Sequence, residues 1–328
     1  MTSPITGKPR VLLTRRWTAD AERYLAARYD VTLNESDVPL TAAEMTQAMR
    51  DYDAICPTVT DSLDAAILGT AGARVKIVGN FGVGYNHIDI EAARRAGITV
   101  TNTPDVLTDT TADLALLLML MATRRAGEGE RELRDGRWKS WRPTHLLGQD
   151  LSGKTLGLVG FGRIAQATAR RAHHGFGMRI AYHSRRRAAS DIEAQCDSRH
   201  VALLDDLVRD ADVLSLHCPG GAETHHLLNR QRLGLMKKTA VLINTARGTV
   251  VDEAALVDAL RSGQISSAGL DVYEREPKVE PGLLALENVV LLPHMGSATH
   301  ETRTAMGMRV AANIERFFAG ETVQDRVV

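Results

Sequence analysis

The sequence predicts an α/β protein built of two parallel-sheet domains. Three observations carry that reading. The chain has 328 residues, which corresponds to about two domains at roughly 150 residues each. Short apolar runs alternate with helical patterns, the rhythm of βαβ units and parallel sheets. A glycine-rich turn sits mid-chain between a strand and a helix. With 44% hydrophobic and 24% charged residues, the composition is that of an ordinary globular protein. The 40 basic and 40 acidic side chains cancel, so there is no basic field for bulk nucleic-acid binding. Three cysteines, Cys56, Cys196 and Cys218, are too few for a disulfide framework and point to a reducing compartment.

In order, VLLT (Val11–Thr14) reads as a strand and Ala19–Arg28 as a helix. DVTLN (Asp30–Asn34) and AICPT (Ala54–Thr58) are strands around a helix at Thr41–Arg50, and KIVGNFG (Lys76–Gly82) and ITVTNT (Ile98–Thr103) complete five. A long helical stretch from about Asp105 to Asp135 follows, with a break expected near Gly127 and Gly129. A linker with Trp138, Trp141 and Pro143 leads to six more strands: KTLGLVG (Lys154–Gly160), MRIAYHS (Met178–Ser184), ADVLSLHC (Ala211–Cys218), TAVLINTA (Thr239–Ala246), ISSAGLDVY (Ile265–Tyr273) and NVVLLPH (Asn288–His294). A last helix, from about Glu301 to Ala319, is too short to be a domain and needs the first domain as its host. The N-terminus MTSPITGKPR lacks the apolar core of a signal peptide. The most apolar run, Leu114–Ala122, is too short to cross a membrane. The expectation is a soluble, cytoplasmic protein with no membrane or nucleic-acid partner.

Gly160-Phe161-Gly162-Arg163-Ile164-Ala165 follows an apolar strand and opens a helix. Gly160 permits the tight turn, and Gly162 lets the backbone approach a pyrophosphate at the helix N-terminus. Ala165 stands where the third glycine can be alanine for close packing. The turn predicts dinucleotide binding at Phe161, Gly162, Arg163 and Ile164, against the alternative of a bare packing turn. The next strand ordinarily ends in a carboxylate for the ribose 2′-OH. Here it ends Tyr182-His183-Ser184-Arg185-Arg186-Arg187. Arginine suits a 2′-phosphate. NADP(H) is therefore predicted over NAD(H), which stays possible, with Arg185 as main contact and Ser184 and Arg186 assisting; the competing reading is a solvated basic turn.

Three polar residues fall at strand ends of the second domain, where open parallel sheets bind ligands. They are Arg247 after AVLINTA, Glu276 in DVYEREP, and His294 after VVLLP. A carbonyl accepting hydride needs a proton donor, and histidine titrates nearest working pH. A carboxylate keeps that histidine protonated, and an arginine can hold a substrate carboxylate bidentately. The set suits a 2-oxo acid. Each residue alone could equally be a salt bridge or a cap.

These residues lie in motifs that resemble the D-isomer-specific 2-hydroxyacid dehydrogenases along nearly the whole chain: GNFGVGYNHID (Gly79–Asp89), GLVGFGRIA (Gly157–Ala165), INTARGTVVDEAALVDAL (Ile243–Leu260), GLDVYEREP (Gly269–Pro277) and PHMGSAT (Pro293–Thr299). Trp138–Pro143, the Thr110-Thr111-Ala-Asp-Leu segment and PHMGSAT look most like the glyoxylate/hydroxypyruvate reductases of that family. The resemblance implies two Rossmann-like or flavodoxin-like parallel-sheet domains with the active site in the cleft between them. The first is discontinuous: residues 1–104 and 296–328 bind substrate, and 105–295 bind NAD(P). It implies His294 as acid/base, Glu276 as its partner and Arg247 as the substrate-orienting cation. The Val83 and Gly84 amides would bind the substrate carboxylate. Asp271 would contact the nicotinamide carboxamide, and Cys218 and Pro219 would line the adenosine side. Thr111, Thr245, Ala246, His294 and Gly296 complete the implied cofactor site. A homodimer is also implied, with the long helix from Asp105 in the interface and Trp141 reaching the partner's active site, unless Trp141 simply packs its own loop.

The Cys56–Thr60 loop lacks the arginine of phosphoglycerate dehydrogenases, and Glu276 replaces the glutamine of formate dehydrogenases. The expected activity is NADPH-dependent reduction of glyoxylate to glycolate and hydroxypyruvate to D-glycerate. The alternatives are another D-2-oxo-acid reductase or a dinucleotide-sensing scaffold of the same fold. No metal is expected: the neighbours in His173-His174 and His225-His226 should point apart, with no carboxylate cluster to complete a set. Cys196 reads as a thiol near the surface, and Arg124-Arg125 and Arg170-Arg171 as solvated helix faces.

Overall fold

A computed structural model describes residues 7–328 and shows the predicted α/β architecture, with parallel sheets of five and seven strands. The chain divides into two compact units, Met1–Leu107 with Ser297–Val328, and Thr108–Gly296. The first unit is thus discontinuous.

The first unit alternates β1 (Arg10–Leu13), α1 (Ala19–Ala26), β2 (Asp30–Leu33), α2 (Ala42–Asp51), β3 (Ala54–Cys56), α3 (Ala65–Leu68), β4 (Ile77–Gly79), α4 (Ile90–Arg95) and β5 (Thr99–Thr101). Its strand order is β2-β1-β3-β4-β5, the flavodoxin-like doubly wound order. The central strands are apolar without alternation because both faces are covered. Helix starts follow local chemistry. Thr41 and Glu44 form a capping box on α2, and the Asp64 and Asp89 carboxylates accept amides of α3 and α4.

The second unit begins with α5 (Thr108–Thr123) and α6 (Ala126–Arg134). It continues through β6 (Thr155–Val159), α7 (Arg163–Phe176), β7 (Arg179–His183), α8 (Ser190–Ala194), β8 (Arg199–His200), α9 (Leu204–Asp210) and β9 (Val213–Leu216). Then come α10 (Arg230–Leu233), β10 (Val241–Asn244), α11 (Glu253–Arg261), β11 (Ser267–Leu270), α12 (Pro281–Leu284) and β12 (Val289–Leu291). Its order, β12-β11-β10-β9-β6-β7-β8, is the Rossmann order with one added strand. The order reverses between β6 and β9, where such sheets open a ligand crevice beyond the carboxyl ends of the strands. The apolar run from Leu114 to Ala122 lies in α5, packed on α7 and on β10 to β12. No helix among the described residues is long and apolar enough to cross a membrane.

Four expectations need correction. The long helix breaks at Arg125, which has φ 53°, and Gly127 and Gly129 lie inside α6. The cause is tertiary: the chain crosses the end of α5 at Gly148, and the Gln149 amide donates to the Thr123 carbonyl at 2.9 Å. Strand β8 escaped notice because it is two residues, Arg199 and His200, at the sheet edge. Cys196 is buried in the apolar layer with Tyr182 and Ile180. Arg171 is no idle surface charge, since it bridges α7 to Asp109 and Asp113 of α5 at 2.9 and 2.6 Å.

The final helix, α13 (His300–Phe318), packs on α1 and β4 of the first unit. Two glycines permit that approach: a Cβ on Gly307 would lie 2.6 Å from Ala21 Cβ, and one on Gly79 would lie 2.6 Å from Val310 Cγ1. Beyond it, the Val327 amide donates to Val100 and the Val100 amide to Val328, so the tail covers the open edge of β5. Asp325 anchors the tail by accepting from Arg309 and Asn313. Gly307→Val should wedge α13 off α1 and cost about 1–3 kcal/mol; urea denaturation reads this, and an unchanged midpoint would contradict the packing.

Candidate active site

The turn after β10 is set by a buried asparagine. Asn244 Nδ2 donates to the Arg247 carbonyl at 2.9 Å, and its Oδ1 accepts the Ala246 amide at 3.0 Å. Next, Gly248 lies so close to the turn after β11 that a Cβ would sit 1.8 Å from the Tyr273 carbonyl carbon. Only glycine lets the two turns touch. Arg247 is thereby held half-buried beside Glu276. Burial lowers the affinity of its guanidinium for the proton, and the Glu276 charge opposes that; arginine nevertheless stays charged. Its one hydrogen bond among the described residues, to the Ala246 carbonyl, uses one of five N–H donors.

Glu276 and His294 meet directly, with His294 Nδ1 2.8 Å from Glu276 Oε2. The other Glu276 oxygen accepts the Tyr273 amide at 3.0 Å. Burial pushes the Glu276 carboxyl up, but the His294 hydrogen bond and charge, the Tyr273 amide and Arg247 outweigh it and leave it below the ordinary range. An ionised carboxylate on Nδ1 requires the proton there, which frees Nε2 to exchange a proton. His294 holds φ 54°, a left-handed conformation unusual for a side chain of this size. Asp271 over-determines it. Its two oxygens accept the Met295 and Gly296 amides at 2.6 and 2.8 Å, and its carbonyl accepts the His294 amide at 2.9 Å. Burial raises the Asp271 carboxyl above the ordinary range despite those amides. Thr111, on α5, donates to the Gly296 carbonyl at 3.1 Å.

At the β6–β9 reversal, Gly160 has φ 87°, and a Cβ would lie 2.9 Å from the backbone of His217 and Cys218. Gly162 caps α7 with open space before it, and Arg163 and Ile164 form the first helical turn. Phe161 stacks on Tyr182 with centroids 3.9 Å apart and fixes the turn from below. Cys218 is buried, and Pro219 begins the following loop. Ala246 is buried, and the neighbouring Thr245 hydroxyl is buried without a partner among the described residues. Past β7, the Ser184 hydroxyl donates to the Arg186 carbonyl at 2.6 Å. The Arg185 side chain is 84% exposed and reaches Glu223 at 3.3 Å. Arg186 makes no ion pair among the described residues. Arg187 is committed elsewhere, paired with Glu193, which also accepts the Tyr182 hydroxyl.

In the first unit, the loop after β4 has its carbonyls occupied and two amides unused. Asn80 donates to the Gly82 and Gly84 carbonyls at 2.9 and 3.1 Å, and Asn102 donates to that of Val83 at 2.9 Å. The Val83 and Gly84 amides have no acceptor among the described residues, an arrangement suited to a carboxylate. Sequence reasoning missed Asn80 and Asn244. Their signal was an asparagine ending an apolar strand directly before a glycine-bearing turn. Trp141 is 78% exposed.

The two histidine pairs differ. His173 and His174 each bond a backbone carbonyl, of Met178 and Gln195. His225 and His226 do not point apart: they stack at 4.0 Å, and Glu274 completes a group of three potential ligands. The expectation that no carboxylate joins a pair is therefore corrected.

The chain as a whole is similar to known proteins. The family model for the NAD binding domain of D-isomer specific 2-hydroxyacid dehydrogenases matches residues 116–296. A glyoxylate reductase of Thermococcus onnurineus is 45% identical over 318 residues, covering 96% of this chain and 94% of that protein. Among solved structures, a glyoxylate reductase from Paecilomyes thermophila is similar at TM-score 0.87 and 34% identity, covering 98% of this chain and 99% of that one. An NADPH-dependent glyoxylate/hydroxypyruvate reductase from Sinorhizobium meliloti, in complex with NADP and malonate, aligns at TM-score 0.86 and 37% identity, covering 98% and 97%.

The lowered Glu276 carboxyl has a consequence for acid stability. A depressed folded-state value stabilises fully above the unfolded value of about 4.3 and is lost as pH falls through the lower folded value. Between neutral pH and pH ~3, the urea midpoint of the wild type should fall further than that of Glu276→Gln. Equal falls would remove Glu276 from the acid-labile set.

Proposed function

The chain belongs to the D-isomer specific 2-hydroxyacid dehydrogenase family, and from that premise we propose that it reduces small 2-oxo acids with NADPH. Glyoxylate would go to glycolate and hydroxypyruvate to D-glycerate. The observation that carries the reading is the 2.8 Å His294–Glu276 pair beside the half-buried Arg247.

The dinucleotide suits the residues present. Gly160 and Gly162 leave the α7 N-terminus open to a pyrophosphate, with Phe161, Arg163 and Ile164 around it. The unpartnered Thr245 hydroxyl, with Ala246, Cys218 and Pro219, offers further contacts. Asp271, Thr111 and Gly296 support the nicotinamide end. Once bound, the reduced nicotinamide supplies a hydride to the substrate carbonyl carbon. The protein does the rest. Arg247 donates to the substrate carboxylate and polarises the carbonyl, and the unused Val83 and Gly84 amides of the first unit suit a carboxylate. His294 delivers the Nε2 proton to the carbonyl oxygen, and Glu276 stabilises the protonated ring until the proton leaves.

NADPH preference rests on the basic turn. No carboxylate ends β7, Arg186 makes no ion pair among the described residues, and a 2′-phosphate can replace the exposed Glu223 as partner of Arg185. The S. meliloti relative, described as NADPH-dependent, supports the same choice. Buried, unpaired Cys56, Cys196 and Cys218 suit the cytoplasm. We further assign a homodimer, in which the exposed Trp141 would be covered.

His294→Ala should lower kcat by about 10²–10⁴-fold on glyoxylate; a near-normal rate overturns its role, and no wild-type turnover across a panel of 2-oxo acids favours a dinucleotide-sensing scaffold. Arg185→Ala should raise KM for NADPH while leaving that for NADH nearly unchanged. Parallel rises for both cofactors would remove the assigned phosphate contact.

A further inference from the structure

We propose that His225, His226 and Glu274 form a binding site for a divalent transition-metal ion, with zinc the species that suits them best. Their ligand atoms all lie within 4.8 Å of one another. His226 Nε2 is already 2.9 Å from Glu274 Oε1. Tetrahedral zinc at about 2.0–2.1 Å from each ligand spaces neighbouring donors by about 3.3 Å. The His226–Glu274 pair need only open by about 0.4 Å, with the ion taking the place of the shared proton.

The backbone explains how neighbouring histidines serve one ion. His226 has φ 48°, which turns its ring alongside that of His225, 4.0 Å away and inclined by 25°. Two of the three ligands are anchored. The His226 amide donates to the Thr249 carbonyl at 2.8 Å, and the Glu274 amide donates to the buried Glu253 carboxylate at 2.8 Å. His225 is exposed and can swing onto the ion. Two imidazoles and one carboxylate, with room for water, form the donor set of open zinc sites and favour zinc over magnesium or calcium.

The site is separate from the proton-transfer pair but adjoins it in sequence. Glu274 precedes Glu276 by two residues, and Thr249 follows Arg247 by two. A bound ion would tie the turn after β11 to the segment lying along the turn after β10, raising the unfolding temperature through linkage.

The test uses tag-free protein, stripped with a chelator and desalted. Co²⁺ is titrated by its visible d–d absorption, and Zn²⁺ by the shift in Tm. One saturable equivalent is expected for the wild type. Affinity should weaken at least about tenfold in His225→Ala and in Glu274→Gln, and should be unchanged when His173 and His174 are both replaced by alanine. His225→Ala should melt like the wild type without metal, because its ring is exposed. The proposal is overturned if the wild type binds no ion saturably, if His225→Ala binds as tightly as the wild type, or if binding is lost with His173 and His174.

Discussion

The carboxylate of Asp271 is the constraint on which the end of the second unit depends. It is buried at the carboxyl end of β11 and accepts the two amides that follow His294. A histidine in the left-handed region costs about 1–3 kcal/mol. The two backbone amides that the buried carboxyl group accepts offset that cost. With φ fixed there, the ring projects toward Glu276 and not along the chain. Gly248 performs the matching task for Arg247, allowing the turns after β10 and β11 to touch.

Three charged groups in this region are perturbed differently. Burial dominates at Asp271, and its proton affinity rises. At Glu276 the His294 and Arg247 charges and the Tyr273 amide overcome burial, and its proton affinity falls. Arg247 loses proton affinity on burial but remains a cation. Separating two carboxylates in this way is how one site assigns different roles to chemically similar groups. Asp271 supports the backbone, and Glu276 stays ionised against the histidine.

The sheets, the helices between them, the glycine turn and the strand-end trio were legible because they depend on periodicity and local turn chemistry. What was illegible depended on distant neighbours. The break at Arg125 is imposed by Gly148 and Gln149, which cross the end of α5. Asn80 and Asn244 are the exception, because the carbonyls they bond lie within four residues and only their burial was hidden. Glu274 joins His225 and His226 across a gap of nearly fifty residues, beside a positive φ at His226 that the sequence does not announce. Cys196 sits in a polar stretch of sequence yet packs inward.

The split first unit bears on how the chain is made. Its five strands leave the ribosome first, but the helix that packs on β4 and the tail that covers β5 belong to Ser297–Val328. The second unit is continuous and can finish folding while the first still lacks both. During that interval, the Gly79 face and the hydrogen-bonding edge of Val100 stay open to solvent, the kind of exposed strand that invites pairing with another nascent chain. Vectorial synthesis therefore makes the first unit the vulnerable one, although it is translated earlier.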